Sequence, residues 1–393
     1  FAYYMLDASQ KLHDIAYQRR DTPTAQFPSA LALLLEYKFV AGFRAVSGND
    51  ELSPIVHRSS WLRLVTRLRQ AVLPSEDVLK ELDQSKYVSM PSMVGRMRAR
   101  VWAQYDPKDA RYLSVYESQS ANDVKGFYAF VDMSYIQMWQ GDLKRAQTYL
   151  ASAKKIAAEH PEVLYLELLL SSVSGDVATS RALDKKLELS RRNPVFILDL
   201  AELALRYQNP ALARSTLMGL KQSSWPDAIW MDRMGSIMRQ LPSEGMIDIL
   251  RGMLAQHQSD SLAPTRAEIL KWIAVLSGVR QGKDGSLYWI DEAFKVKPAK
   301  QGELWLEKGY YFKSKKQNDK AQDSFLKALR YNSSLAEAHL GLARISQSEG
   351  RKEQERTHYI RYLELTPYGK HSVEVRQLLD SLQSTGDHAS QSN

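Results

Sequence analysis

The sequence contains no cysteine. Disulfides, zinc–thiolate sites and thiol catalysis are therefore excluded. Long apolar runs are missing as well. The most apolar stretch, residues 30–45, is interrupted by Glu36, Lys38 and Arg44. It is too short and too charged to cross a bilayer, and it reads as a buried helix. No signal peptide is visible, and the chain opens at Phe1, which reads as a fragment or a processed chain. Membrane attachment would come only through an anchor outside it. A cytoplasmic location is preferred, with the periplasm as the alternative.

Motifs that carry chemistry are equally scarce. The histidines stand singly, at His13, His57, His160, His257, His339, His358, His371 and His388. None forms an H-x-x-x-H pair, so no metal site is expected. No nucleophile elbow or phosphate loop is present. Gly282-Lys283-Asp284-Gly285 has the composition of a phosphate loop without its order, and reads as an inter-helix turn. Nothing singles out two carboxylates for acid–base work. No catalytic residue, cofactor or small-molecule substrate is expected.

What is present is ordinary for a folded chain: 44% hydrophobic and 25% charged residues. The net charge of +8 permits an anionic partner without requiring one.

Internal repetition is the strongest signal. Between Gly302 and Asn332, the residues Trp305, Gly309, Phe312, Ala321, Phe325 and Ala328 fall at spacings that recur 34 residues on. Gly309 maps to Ala343, Phe325 to Tyr359, Ala328 to Tyr362 and Trp305 to His339. Gly141-Asp142 recurs as Gly175-Asp176, and Asn209-Pro210 follows at the same interval. These are turn dipeptides between paired helices. Pro161, Pro194 and Pro226 mark the ends of second helices. Ala146, Leu150 and Ala153 hold the framework in one copy, and Ala274, Gly282, Ile290 and Ala293 in another. Residues 228–260 match poorly. Small residues let the helices of a pair approach, and large ones fill the gaps between neighbours, so hairpins must stack to bury their apolar faces.

In spacing and residue type these copies resemble the tetratricopeptide repeat (TPR) family. The resemblance implies an all-α fold: a TPR-like α-solenoid, a right-handed superhelix of helical hairpins, over residues 121–367. Residues 368–383 read as a capping helix whose inner face includes Val373, Val375, Leu378, Leu379 and Leu382. Residues 384–393 read as a disordered tail. Residues 1–120 lie outside the resemblance. They read as an additional helical region, with helices expected at 3–20, 28–46, 55–73, 75–82 and 91–104.

In the family the first helix of each hairpin lines a concave groove. Carried over residue by residue, this gives Tyr128, Tyr135, Trp139, Tyr165, Phe196, Arg206, Tyr310 and Arg344 as exposed partner-binding positions. The Lys/Asn set with which some TPR domains hold a C-terminal carboxylate is absent, because Leu306, Tyr310, Leu340 and Arg344 occupy its places. Outside the repeats, Arg63, Arg67, Arg96, Arg98 and Arg100 form a candidate basic surface. The leading expectation is a non-catalytic scaffold that binds a protein partner, a peptide or helix, in a bacterial motility, secretion or envelope assembly. Self-association is compatible with it. Nucleic-acid binding by the basic surface is one alternative, and a subunit of an exopolysaccharide exporter is another.

Overall fold

The structure is a computed structural model. It describes residues 97–103, 127–187, 194–222, 231–256, 263–296 and 298–390, together with Asp14, Val78, Leu79 and Leu82. Among the described residues every regular element is helical and none is a strand. The all-α reading therefore holds.

The α-helices from residue 127 onward are α1 (Phe127–Gln140), α2 (Leu143–Ala157), α3 (Pro161–Ser174), α4 (Val177–Leu187), α5 (Pro194–Arg206) and α6 (Pro210–Met218). They continue with α7 (Met231–Met238), α8 (Ser243–Gln256), α9 (Ala263–Leu276), α10 (Ser286–Lys295) and α11 (Gln301–Ser314). The last are α12 (Asn318–Tyr331), α13 (Ala336–Ser348), α14 (Lys352–Leu365) and α15 (Ser372–Ser390). Successive helices pack as antiparallel pairs: α1 with α2, α3 with α4, α5 with α6, α9 with α10, α11 with α12, and α13 with α14. Neighbouring hairpins pack on one another through α2 and α3, α10 and α11, and α12 and α13. This is a helical-hairpin solenoid. The chain forms two compact units, one of residues 1–223 with 232–237, the other of residues 224–231 with 238–393.

The repeat is written into the turns. A residue in the left-handed region follows the first helix of a pair at Gly141, Gly175, Gln208, Lys316 and Gly350, and Gly282 does the same after the 3-10 turn Val279–Gln281 that extends α9. Most of these lie 34 residues apart within each unit. Such a φ costs glycine nothing, and Gln208 and Lys316 show that the turn geometry is kept even where glycine is lost. The next residue caps the second helix in unit 1. Asp142 accepts from the Arg145 amide, Asp176 from Thr179 and Asn209 from Leu212. The phosphate-loop-like Gly282-Lys283-Asp284-Gly285 is a turn between α9 and α10, as expected. Pro161 and Pro194 open α3 and α5, where a missing N–H costs no hydrogen bond.

The framework residues sit inside. Ala146, Leu150 and Ala153 are buried in unit 1, and Ala321, Phe325 and Ala328 in unit 2. Phe325 is held between two first helices. A methyl group added at Gly309 would lie 2.5 Å from its Cε1, and one added at Gly341 would lie 2.5 Å from its Cζ. At this ring the helices are as close as glycine permits.

Of the helices expected before residue 120, those at 28–46 and 55–73 lie outside the described residues, as does Pro226. Asp14, Val78, Leu79, Leu82 and residues 97–103 are helical. At the other end, α15 packs on α14 and buries Val375, with Leu378, Leu379 and Leu382 partly covered. Val373, assigned to the inner face, is 67% exposed instead. It lies two residues from Val375, which on a helix is the opposite side. Over residues 384–390, read from the sequence as a tail, the backbone continues α15 to Ser390. No proline interrupts residues 384–390, so no backbone donor of the helix is missing there.

Candidate functional site

In unit 1 the first helices are joined by side chains at equivalent repeat positions. Tyr165, Asp199 and Arg233 are spaced by 34 residues on α3, α5 and α7. The Tyr165 hydroxyl donates to Asp199 Oδ2 at 2.7 Å, and Arg233 donates to Asp199 Oδ1. Arg233 also donates to Glu202 Oε2, at 2.9 Å. Burial alone would lower the pKa of Arg233, but Asp199 and Glu202 more than reverse this and keep it charged. Phe196 meets the Tyr165 ring edge to face, with centroids 5.7 Å apart.

A second buried cluster lies at the start of the array. Arg100 donates to Asp132 Oδ1 at 2.6 Å and lies 3.9 Å from the Tyr135 ring centroid. Tyr135 stacks obliquely on Trp139, and the Arg206 guanidinium lies over the indole. Arg206 Nη1 donates to the Trp139 carbonyl at 3.1 Å.

These contacts correct four of the groove expectations. Tyr135, Trp139, Tyr165 and Phe196 are 0–2% exposed, so none of them presents a surface. Neighbouring first helices pack against one another, and the large aromatic residues fill that seam. Arg206 is half-buried and tied to the backbone. Of the aromatic strip only Tyr128 stands out, at 47% exposure, with Phe127 and His160 against its ring. The basic surface is corrected at Arg100, which is 0% exposed and paired with Asp132. Arg98 is half-buried, and Arg63, Arg67 and Arg96 lie outside the described residues.

Unit 2 has its own ion-pair network. Arg280 is bidentate to Glu307, at 2.6 and 2.7 Å, and reaches Glu337 Oε2 at 2.9 Å. Burial would lower the Arg280 pKa, but Glu307 and Glu337 hold it well above the ordinary arginine value. The Tyr310 ring lies under Arg280, and its hydroxyl donates to the Glu337 carbonyl. Burial pushes the phenol well up. Tyr310 therefore stands half-buried within the network rather than exposed in a groove. Arg344, two turns beyond Glu337 on the same face of α13, donates to both Glu374 oxygens of α15, at 3.2 and 3.3 Å. His371 Nδ1 lies 2.9 Å from the same carboxylate. Burial and the Arg344 charge together lower the Lys313 pKa. Lys313 has no carboxylate partner among the described residues.

His339, at the repeat position of Trp305, is half-buried on α13 and faces His358 of α14, with the two Nδ1 atoms 3.1 Å apart. Sequence spacing could not show this pair, because its members belong to different helices of one hairpin. The Tyr165–Asp199–Arg233 ladder was in principle visible, as complementary side chains at one repeat position.

No known family matches the chain, and no curated protein does. Among solved structures, one similar chain is in the crystal structure of the APC/C hetero-tetramer Cut9–Hcn1, at 11% identity and a TM-score of 0.28, covering 93% of this chain and 84% of that one. Likeness at that level carries no argument about function. Among the described residues, no helix is long and apolar enough to cross a membrane.

Proposed function

We propose that this protein is a non-catalytic interaction scaffold whose first-helix face in unit 2 receives an acidic segment, peptide or helix, of a protein partner. The supporting observation is the adjacent pair Lys313 and Arg344. Both are partly exposed on first helices, and the lysine pKa is lowered first by burial and then by the Arg344 charge. Among the described residues the carboxylate paired with Arg344 is Glu374, which it shares with His371. A partner carboxylate placed between Lys313 and Arg344 relieves their repulsion and forms charge-assisted hydrogen bonds. Tyr128, exposed on α1, is a second contact position on the first-helix layer of unit 1.

The test is fluorescence anisotropy with labelled Glu/Asp-rich peptides and their Gln/Asn counterparts, at low and physiological salt. Acidic peptides are expected to bind more tightly, with affinity falling as salt rises. Lys313→Glu or Arg344→Glu should weaken binding about tenfold each, or about 1.4 kcal/mol. Equal binding of neutral and acidic peptides, or variants that bind like the parent, would refute the reading. A duplex or single-stranded nucleic acid that binds at nanomolar affinity in physiological salt would replace it with the nucleic-acid alternative.

A further inference from the structure

We propose that His339 and His358 form a two-histidine site for a borderline transition-metal ion, Zn²⁺, Ni²⁺ or Cu²⁺, on the hairpin α13–α14. The argument begins with the repeat. In the preceding hairpin the residues 34 positions earlier are Trp305 and Ser324. There an indole and a small hydroxyl fill the space, and Ser324 bonds back to its own helix at the Lys320 carbonyl. Helix packing at this position thus needs no ring nitrogen. In α13–α14 both residues are histidine, and their Nδ1 atoms converge to 3.1 Å, with ring centroids 5.4 Å apart and planes inclined by 36°.

Two Nδ1 atoms approach this closely only when one carries a hydrogen and the other offers its lone pair, so at most one proton lies between them. A metal ion is the other occupant that suits two facing lone pairs. With metal–nitrogen bonds of about 2.0–2.1 Å, two ligands of a tetrahedral ion lie about 3.3 Å apart. The observed separation is within a few tenths of an ångström of that. Binding moves the shared proton to Nε2 of the donating ring through solvent, leaving two neutral imidazoles and releasing no net proton. Both rings are half-buried, which leaves the open coordination positions to water. Burial, with His358 and Arg361 near the His339 ring and Arg351 near the His358 ring, favours neutral imidazoles and keeps the lone pairs available at pH 7. The Arg361 charge is already offset by Glu364 at 2.8 Å, and Arg351 is paired with Glu349. Imidazole pairs prefer such ions over Mg²⁺ or Ca²⁺, which take oxygen ligands.

The experiment uses the full chain, with Cu²⁺ as the spectroscopic probe and Zn²⁺ as the thermodynamic one. Electron paramagnetic resonance at one equivalent of Cu²⁺ should show hyperfine coupling to two nitrogens. Calorimetry should give one Zn²⁺ per chain, and the melting temperature should rise with Zn²⁺ but not with Mg²⁺. His339→Phe, which keeps an aromatic ring at the packing position, and His358→Gln should each remove the second nitrogen coupling and weaken Zn²⁺ at least tenfold. His371→Asn, outside the pair, should leave both intact. A one-nitrogen spectrum in the parent overturns the site without reference to any variant. So does Zn²⁺ binding that survives both His339→Phe and His358→Gln, or that is lost in His371→Asn.

Discussion

Phe325 and Arg233 show how single residues hold the hairpins together. The Phe325 ring cannot move away from a side chain added at Gly309, because Gly341 closes its far side at the same distance. Alanine in place of a helical glycine gains up to about 1 kcal/mol of helix propensity. Overpacking costs about 1–3 kcal/mol. The clash is therefore expected to win, modestly in Gly309→Ala and fully in Gly309→Val, with Tm falling in that order. Combining Gly309→Ala with Phe325→Leu should cost less than the two single changes added together, since each then makes room for the other. A Gly309→Val chain that melts with the parent would contradict this packing. Arg233 works by charge. Replacing it with Met leaves Asp199 and Glu202 without their buried cation and is expected to cost about 3–5 kcal/mol. Arg233→Met together with Asp199→Asn should be milder than Arg233→Met alone, as a double-mutant cycle by urea denaturation would show.

At the scale of the element, the hairpin α13–α14 carries a pH dependence. The His339 pKa is held down to about 4 by burial, by His358 and by Arg361, against a smaller opposing effect of Glu364. The His358 pKa is lowered by burial and by Arg351. Unfolded, both would titrate near 6.5. As pH falls through 6.5 the unfolded chain takes up protons that the hairpin refuses, so stability falls from there down to about pH 4 and is unaffected by these groups above 6.5. The His339→Phe chain should lose part of the Tm decline across this window, and an unchanged decline would assign it elsewhere. The same hairpins explain what was legible beforehand. Turn glycines and small framework residues repeat because backbone geometry admits few alternatives there, so Gly141, Gly175, Ala321 and Ala328 could be read directly. The groove could not. A tyrosine at a first-helix position serves equally as a surface anchor or as filler between adjacent first helices. Tyr135 and Tyr165 are filler because Arg100 and Asp199, remote in sequence, come to meet them.

Across the whole molecule, stability in a stacked array is expected to be local, each hairpin depending on its neighbours rather than on a shared core. The last hairpin is the sharpest place to test this. Leu340, Ala343, Tyr359 and Tyr362 form one cluster with Val375 of α15, and Leu378, Leu379 and Leu382 cover its margin. Val375 is fully buried, and its loss alone removes roughly 1.5–3 kcal/mol of apolar stabilisation. A chain ending at Pro367 exposes that cluster to water. Amide hydrogen exchange should then show α13 and α14 opening first, α11 and α12 losing less protection, and α1 to α6 exchanging as in the parent. Charge offers an internal control, because the truncation also removes Glu374, the carboxylate paired with Arg344 among the described residues. If the hairpins were joined in one cooperative block, protection would fall evenly along the chain, and the repeat-by-repeat account of this fold would have to be abandoned.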